Sequence, residues 1–290
     1  MAKRDIFDWD EILKGIDVFY FSGVTPAVSD EMAAACKDAL AACRAKGITT
    51  VCDVNYRGKM WSPEKSQATM KELLPLVDIC IANDEDAPAG LGMTCVSGSL
   101  AHGIEERDTY VEMARQICAE YGCKKVASVV RNISCVERSI WMGMLFDAES
   151  GEHWFSPAHD VHVLEGVAAG DAFNAGLVHA LINDFDPQDA VNYAIAASIL
   201  KLTIKGDSNL VTADEIAAVA CAAVGGTRVA RLSASIPRAA AFQSHTSAAR
   251  SPIPPAGQNH QSHSGFAWHS LHDWSSSRFW NCLNPKQCLR

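Results

Sequence analysis

The sequence predicts an α/β protein in which a mostly parallel central sheet carries helices on both faces. Three observations lead there. Short apolar runs rich in β-branched and aromatic residues alternate with helical runs through about the first 225 of 290 residues, as a parallel sheet buried on both sides requires. Capping Ser and Asp residues, Pro and Gly fall where those helices must begin and end. No apolar run reaches the roughly 18–20 residues of a membrane helix, so the apolar content is that of a core.

The elements follow in order. Ile16 to Phe21 reads as a buried strand, and Ser29 to Lys46 as an Ala-rich helix stopped by Gly47. Ile48 to Val54 is the next strand, and Pro63 to Leu74 a helix with Ser62 as its N-cap. Asp78 to Ala82 gives a third strand and Tyr110 to Tyr121 a third long helix. Strand patterns return at Val126 to Val130, at Ile140 to Phe146 and, after a turn at Asp147 to Gly151, at His153 to Phe155. A helix follows from about Asp171 to Asn183, then Asp186-Pro187 opens one that runs to about Leu202, and a last helix spans about Ala213 to Ala223. Ligands of such folds bind at the carboxyl ends of the strands, which places Asn55, Arg57 and Asn83 where a site is expected.

The net charge of −9 argues against a nucleic-acid or anionic-membrane partner. Eleven cysteines without a C-x-x-C pair read as reduced thiols of a cytoplasmic protein rather than a disulfide framework or zinc site. Met1 to Asp8 shows two basic residues but no apolar signal core. His159, His162 and His179 share no ligand spacing and read as packing or surface residues.

The most informative stretch is Glu165 to Gly176, a small-residue turn that places one carboxylate, Asp171, at the start of an apolar helix. Free N–H groups and the positive end of the helix dipole attract an anion such as a phosphate there. An aspartate beside that anion could take the proton of an attacking hydroxyl. The same aspartate could equally be a helix cap.

Gly170-Asp171-Ala172-Phe173-Asn174-Ala175-Gly176-Leu177 resembles the G-A-G-D-x-F-x-x-G signature of the ribokinase-like (PfkB) sugar kinases. Asp53-Val54-Asn55-Tyr56-Arg57 followed by Trp61, Ala82 to Ala87, and Gly206 to Val211 resemble the 2-keto-3-deoxygluconate kinase branch of that family. The four blocks stand in the family's order, and the resemblance covers about residues 5–231.

The resemblance implies a ribokinase-like fold and an ATP-dependent carbohydrate kinase, a phosphotransferase to an alcohol group, acting on a sugar acid such as 2-keto-3-deoxygluconate with Mg²⁺. It makes Asp171 the general base and assigns the anion hole to the N–H groups of Ala168, Ala169 and Gly170, with Ala168 standing where the family commonly has glycine. Arg57 would grip the substrate carboxylate, as a guanidinium can bidentately, with Asp53 and Asn55 ordering its loop. Asn83 and Asp86 fit the family's N-x-x-E position beside nucleotide and metal, Asp86 acting on Mg²⁺ only indirectly. Arg131, following a strand, would contact phosphate, while Ala197, Gly206 and Asn209 lie where the family forms its adenine pocket.

The resemblance also implies that a front segment of about a hundred residues, with a Gly-Gly sugar-recognition segment, the first strands and a β lid, is missing here. The lid serves as the family's dimer interface, so a homo-oligomer would need another surface. From Leu232 to Arg290 the chain carries five basic residues and one acidic, holds half of the histidines, and lacks helical or strand periodicity. It reads as a disordered or unrelated extension behind a partial kinase domain at 1–231. Trp268, Trp274, Phe279 and Trp280 are a candidate aromatic patch within it. A non-enzymatic alternative stays open: a remnant that at most binds nucleotide or a partner.

Overall fold

The computed structural model describes residues 3–94, 102–135 and 137–222, and the backbone of a strand at 279–281. In chain order the elements are α1 (Trp9–Ile12), β1 (Val18–Ser22), α2 (Val24–Ala27), α3 (Asp30–Lys46), β2 (Thr49–Asp53), α4 (Pro63–Leu73), β3 (Ile79–Ile81) and α5 (Arg107–Tyr121). They continue with β4 (Lys125–Cys135), β5 (Arg138–Asp147), β6 (His153–Phe155), β7 (His159–His162), α6 (Ala169–Ile182), α7 (Pro187–Leu202), α8 (Ala213–Ala222) and β8 (Phe279–Asn281).

The helix boundaries are set by the residues that predicted them. Ser29 accepts the N–H of Met32, Ser62 that of Lys65 and Asp186 that of Gln188, each closing the first turn of its helix. Gly47 ends α3 in the left-handed conformation at φ 69°, open to glycine without a Cβ penalty.

The strands form one sheet in the order β6-β5-β4-β3-β2-β1-β8, with β7 also on β5. β8, β1, β2, β3 and β4 pair in parallel. β5 pairs antiparallel with β4, β6 and β7, so the expectation of a mostly parallel sheet needs an antiparallel flank added. β7 was not foreseen as a strand; only Val161 of its four residues is buried. The region 232–290 lies outside the described residues apart from β8, three residues that pair with β1 where strand periodicity was not expected.

Alternate residues of the central strands feed two cores. Phe19, Phe21, Cys52 and Cys80 join α3, α4 and α5 residues such as Leu40, Met70 and Ile117 on one face. Val18, Tyr20, Val51, Ile79 and Ile81 join Phe173, Leu177, Val191 and Ile195 of α6 and α7 on the other. α8 adds an outer layer over α7 through Ala196, Ile216 and Ala220. Among the described residues no helix is long and apolar enough to cross a membrane, and eight cysteines are free thiols, six of them buried.

Parallel register aligns the strand ends that position the site. Ser22 pairs with Asp53, and Asp53 with Ile81. Hydrogen bonding runs one step further, from Gly23 N to Asp53 O (2.7 Å), Val54 N to Ile81 O (2.9 Å) and Ala82 N to Ala127 O (3.1 Å). Gly23 is required by close approach, because a Cβ there would stand 2.0 Å from the Val54 carbonyl oxygen. Gly23→Ala is therefore expected to push these strand ends apart and cost roughly 1–3 kcal/mol, the usual range for overpacking, read as a lower urea midpoint at unchanged slope.

Candidate functional site

Three carboxyl groups and one guanidinium meet where β1, β2 and β3 end and α6 begins. Asp53, the last residue of β2, is 6 % exposed. Burial lifts its pKa to about 8, with the charges of Asp86 and Asp171 adding to the rise and Asn174 and Arg57 opposing it. Asp86 is also raised, chiefly by burial; its Oδ1 accepts the Tyr56 N–H (2.8 Å) and its Oδ2 faces the Asn83 amide (3.4 Å). Asp171 is raised by burial and held back by Arg57. Arg57 itself is exposed, donates to the Tyr56 carbonyl (2.9 Å), and draws all three carboxyls toward their ionised forms.

The helix start answers the question left open about Asp171. The N-cap of α6 is Ala168, which supplies no capping side chain, and Asp171 is the third helical residue. Its carboxylate makes no hydrogen bond or ion pair with the described residues, so it is not a cap. The bond from Ala172 N to Ala168 O (2.9 Å) begins the α-helical ladder, and the N–H groups just before it lie at the helix's positive end. Ala168 sits at φ 61°, ψ 13°, a left-handed conformation that glycine takes freely and alanine at a cost. Ala169 is buried and its carbonyl accepts from Ser198 Oγ of α7 (2.9 Å).

The remaining predicted residues divide. Asn55, at φ 39°, donates its amide to Ser22 Oγ (2.9 Å), so it orders the loop that carries Arg57. Asn83 does the same for its own turn, its Oδ1 accepting the Val129 N–H (2.9 Å). Arg131 is not at a strand end as expected but inside β4, because that strand runs on to Cys135. Its guanidinium pairs with Glu85 (2.5 Å) and lies 5.4 Å from the Trp141 ring, and its buried Nε has no partner among the described residues. Ala197 and Asn209 do come together, the Asn209 amide donating to the Ala197 carbonyl (3.4 Å) while the buried Asn209 Oδ1 has no partner among the described residues. Gly206 takes φ 89° in the same loop. Two clefts of about 230 and 220 Å³, lined by residues such as Thr49, Asp78 and Lys124, or Val51 and Val178, involve none of these side chains.

Two side chains were not anticipated as parts of this arrangement. Asn174, 3 % exposed, donates from Nδ2 to Asp53 Oδ2 (2.8 Å) and to the Tyr20 hydroxyl oxygen (3.0 Å). A polar residue one turn beyond Asp171 on an apolar helix was the available signal. Lys201, fully buried at the end of α7, donates to the Ile204 carbonyl (3.1 Å). Burial lowers its pKa against the charges of Glu165 and Asp207.

Fold and site together define an α/β protein with a cluster of carboxyl groups at the carboxyl edge of its sheet, beside the start of a helix. The pattern of the pfkB family carbohydrate kinases matches residues 3–214, and the chain belongs to that family. It is 26 % identical over 206 residues to a 2-dehydro-3-deoxygalactonokinase of Haloferax volcanii, a match covering 71 % of this chain and 58 % of the relative. Its structure superposes on that of 2-dehydro-3-deoxygluconokinase from Thermotoga maritima with a TM-score of 0.70 and 36 % identity, over 76 % of this chain and 64 % of the other. A putative ribokinase II of E. coli, solved in complex with ATP and Mg²⁺, shares the fold at a TM-score of 0.57 and 20 % identity, over 75 % of this chain and 62 % of that one. The chain thus spans somewhat under two thirds of the length of these relatives.

Ala168→Gly is expected to relieve the left-handed strain at the α6 start and stabilise the fold by about 1 kcal/mol. Chemical unfolding of the two proteins side by side checks it; an unchanged or lower midpoint would show that the alanine is unstrained.

Proposed function

We propose that this chain phosphorylates a hydroxyl of a sugar acid of the 2-keto-3-deoxygluconate kind, with ATP as donor and Asp171 as general base. The observation that carries the reading is the Asp171 carboxylate, engaged by no hydrogen bond among the described residues, in the first turn of α6 and under the charge of Arg57. Burial raises its proton affinity and so improves it as a base, while Arg57 favours the ionised form that can accept a proton. The N–H groups of Ala168, Ala169 and Gly170 would receive the transferred phosphate at the positive end of the helix. Arg57, the exposed cation of the cluster, would bind the substrate carboxylate. The names of the Haloferax and Thermotoga relatives, both kinases of 2-dehydro-3-deoxy sugar acids, support that choice of substrate.

ATP would supply the phosphoryl group and Mg²⁺ would screen its charge. The nucleotide side fits such a ligand: the Arg131 Nε and Asn209 Oδ1 are buried polar atoms without a hydrogen-bond partner among the described residues. The metal fits less directly. Among the described residues no group of three His, Cys, Asp or Glu side chains could hold an ion, and the Asp86 carboxylate already faces Tyr56 and Asn83. Magnesium that keeps its waters and leans on substrate phosphates needs no such cage, so Asp86 acts on it at most through water.

The test is coupled ATP consumption with 2-keto-3-deoxygluconate, alongside nucleotide binding. Binding without consumption would leave the chain as a nucleotide-binding module. Asp171→Asn, close to isosteric, is expected to lower turnover by about 10²–10⁴-fold with the thermal melt unchanged; full turnover in the folded variant rules out the base assignment. Arg57→Ala is expected to weaken sugar-acid binding about ten- to a hundred-fold, as loss of a charge-assisted bond of roughly 1.5–3 kcal/mol implies, and to leave ATP affinity nearly intact. Equal losses for both ligands would make Arg57 structural.

A further inference from the structure

We propose that Asn174 is a positioning residue of this site: its amide holds the Asp53 carboxyl, and through Asp53 it fixes what Asp171 faces across the strand ends. The inference rests on the reading of Asp171 as the base and adds a residue to which that reading gives no part.

Asn174 stands three residues after Asp171, so the two project from neighbouring turns of one helix face. Its Nδ2 donates to Asp53 Oδ2 at 2.8 Å and to the Tyr20 hydroxyl oxygen at 3.0 Å, which ties α6 to the ends of both β2 and β1. An amide nitrogen has two hydrogens, and this one spends both. Asp53, Asn174 and Tyr20 are all buried, where an unmade hydrogen bond costs far more than on the surface. A side chain that merely filled space between α6 and the sheet would be apolar, as Phe173 and Leu177 are in the same helix.

The titratable groups electrostatically linked to Asp53 are Tyr20 on β1, Asp86 in the turn after β3, Arg57 in the loop after β2 and Asp171 on α6, with Cys52 and Cys80 on the opposite face of the sheet. Among the described residues, Asn174 and Arg57 favour its ionised form. Asp53 is therefore protected against losing its proton well above the usual carboxylate range, while Arg57 draws Asp171 toward its ionised form. Asn174 sets how far that protection extends, because its hydrogen bond opposes the proton on Asp53. Loss of the amide would let Asp53 hold its proton more tightly and free the carboxyl to turn away from α6.

Carboxyl ¹³C and side-chain amide ¹⁵N resonances of the chain, followed from pH 5 to 10, test this without any need for turnover. In the unmodified chain the Asn174 NH₂ signal is expected to move with the same midpoint as the Asp53 carboxyl, near 8; an Asn174 signal that stays flat while Asp53 titrates overturns the proposal. Asn174→Leu, of similar size, is expected to raise the Asp53 midpoint by about one to two pH units, the equivalent of a hydrogen bond to a charged group. An unmoved midpoint in the folded variant also overturns it. Should Asn174→Leu fail to fold, the amide titration of the unmodified chain decides alone. Asp171→Asn is expected to lower the Asp53 midpoint, since the Asp171 charge contributes to its rise, and no change there breaks the link between the two carboxyls. Failure of the kinase reading shows separately, as Asp171→Asn turning over like the parent, and leaves the titration result standing.

Discussion

Crowding of negative charge at one edge of the sheet is the constraint on which the rest of this structure depends. Asp53, Asp86 and Asp171 come from three different segments and share a single cation, Arg57. Two buried carboxylates and a half-buried one cannot all be ionised around one guanidinium without a penalty. The structure answers with graded environments. Asp53 is raised to about 8, Asp86 is met by a backbone N–H, and Asp171 makes no hydrogen bond among the described residues. Environment separates them: the innermost carboxyl is tied to α6 through Asn174, the middle one to the Tyr56 N–H, and the outermost lies half-buried at the helix start.

Much of this was legible in the chain itself. The central strands and the long helices stand where apolar runs, caps and stops put them, because a buried parallel sheet leaves an almost continuous apolar signature in each strand. β7 left none: it lies on the antiparallel flank and buries only Val161, so neither alternation nor an apolar run marked it. The site was readable in part for the same kind of reason. Asp171 announces itself by lying in a small-residue turn before a helix, and Asn55 and Arg57 by following a strand.

The partners of those residues were not readable, because the contacts are distant in sequence. Asn174 meets Asp53 across 121 positions and Tyr20 across 154, and nothing local records either contact. Arg131 shows the converse. Its local setting suggested the end of a strand, but pairing with β5 carries β4 on to Cys135, and the guanidinium is shared between Glu85, 46 residues away, and the Trp141 ring. Cross-strand partners decide where a strand ends, and a single strand's sequence does not contain them.

The alignment of Ser22, Asp53 and Ile81 across three neighbouring strands has a consequence for how such a protein can change over time. Because strand side chains alternate between faces, a slip of one residue in β2 would send Asp53 toward the helices α3 and α4 and bring an apolar neighbour into its place. The buried packing of Val51 and Cys52 on opposite faces is thus what forbids the slip, and the aspartate inherits its orientation from hydrophobic residues that never touch a ligand. Core substitutions that preserve volume but loosen this alignment would blur the site before they unfold the domain. In a lineage drifting in its core, the chemistry at the sheet edge would fade earlier than the fold, leaving recognisable architecture around carboxyl groups no longer held in rank.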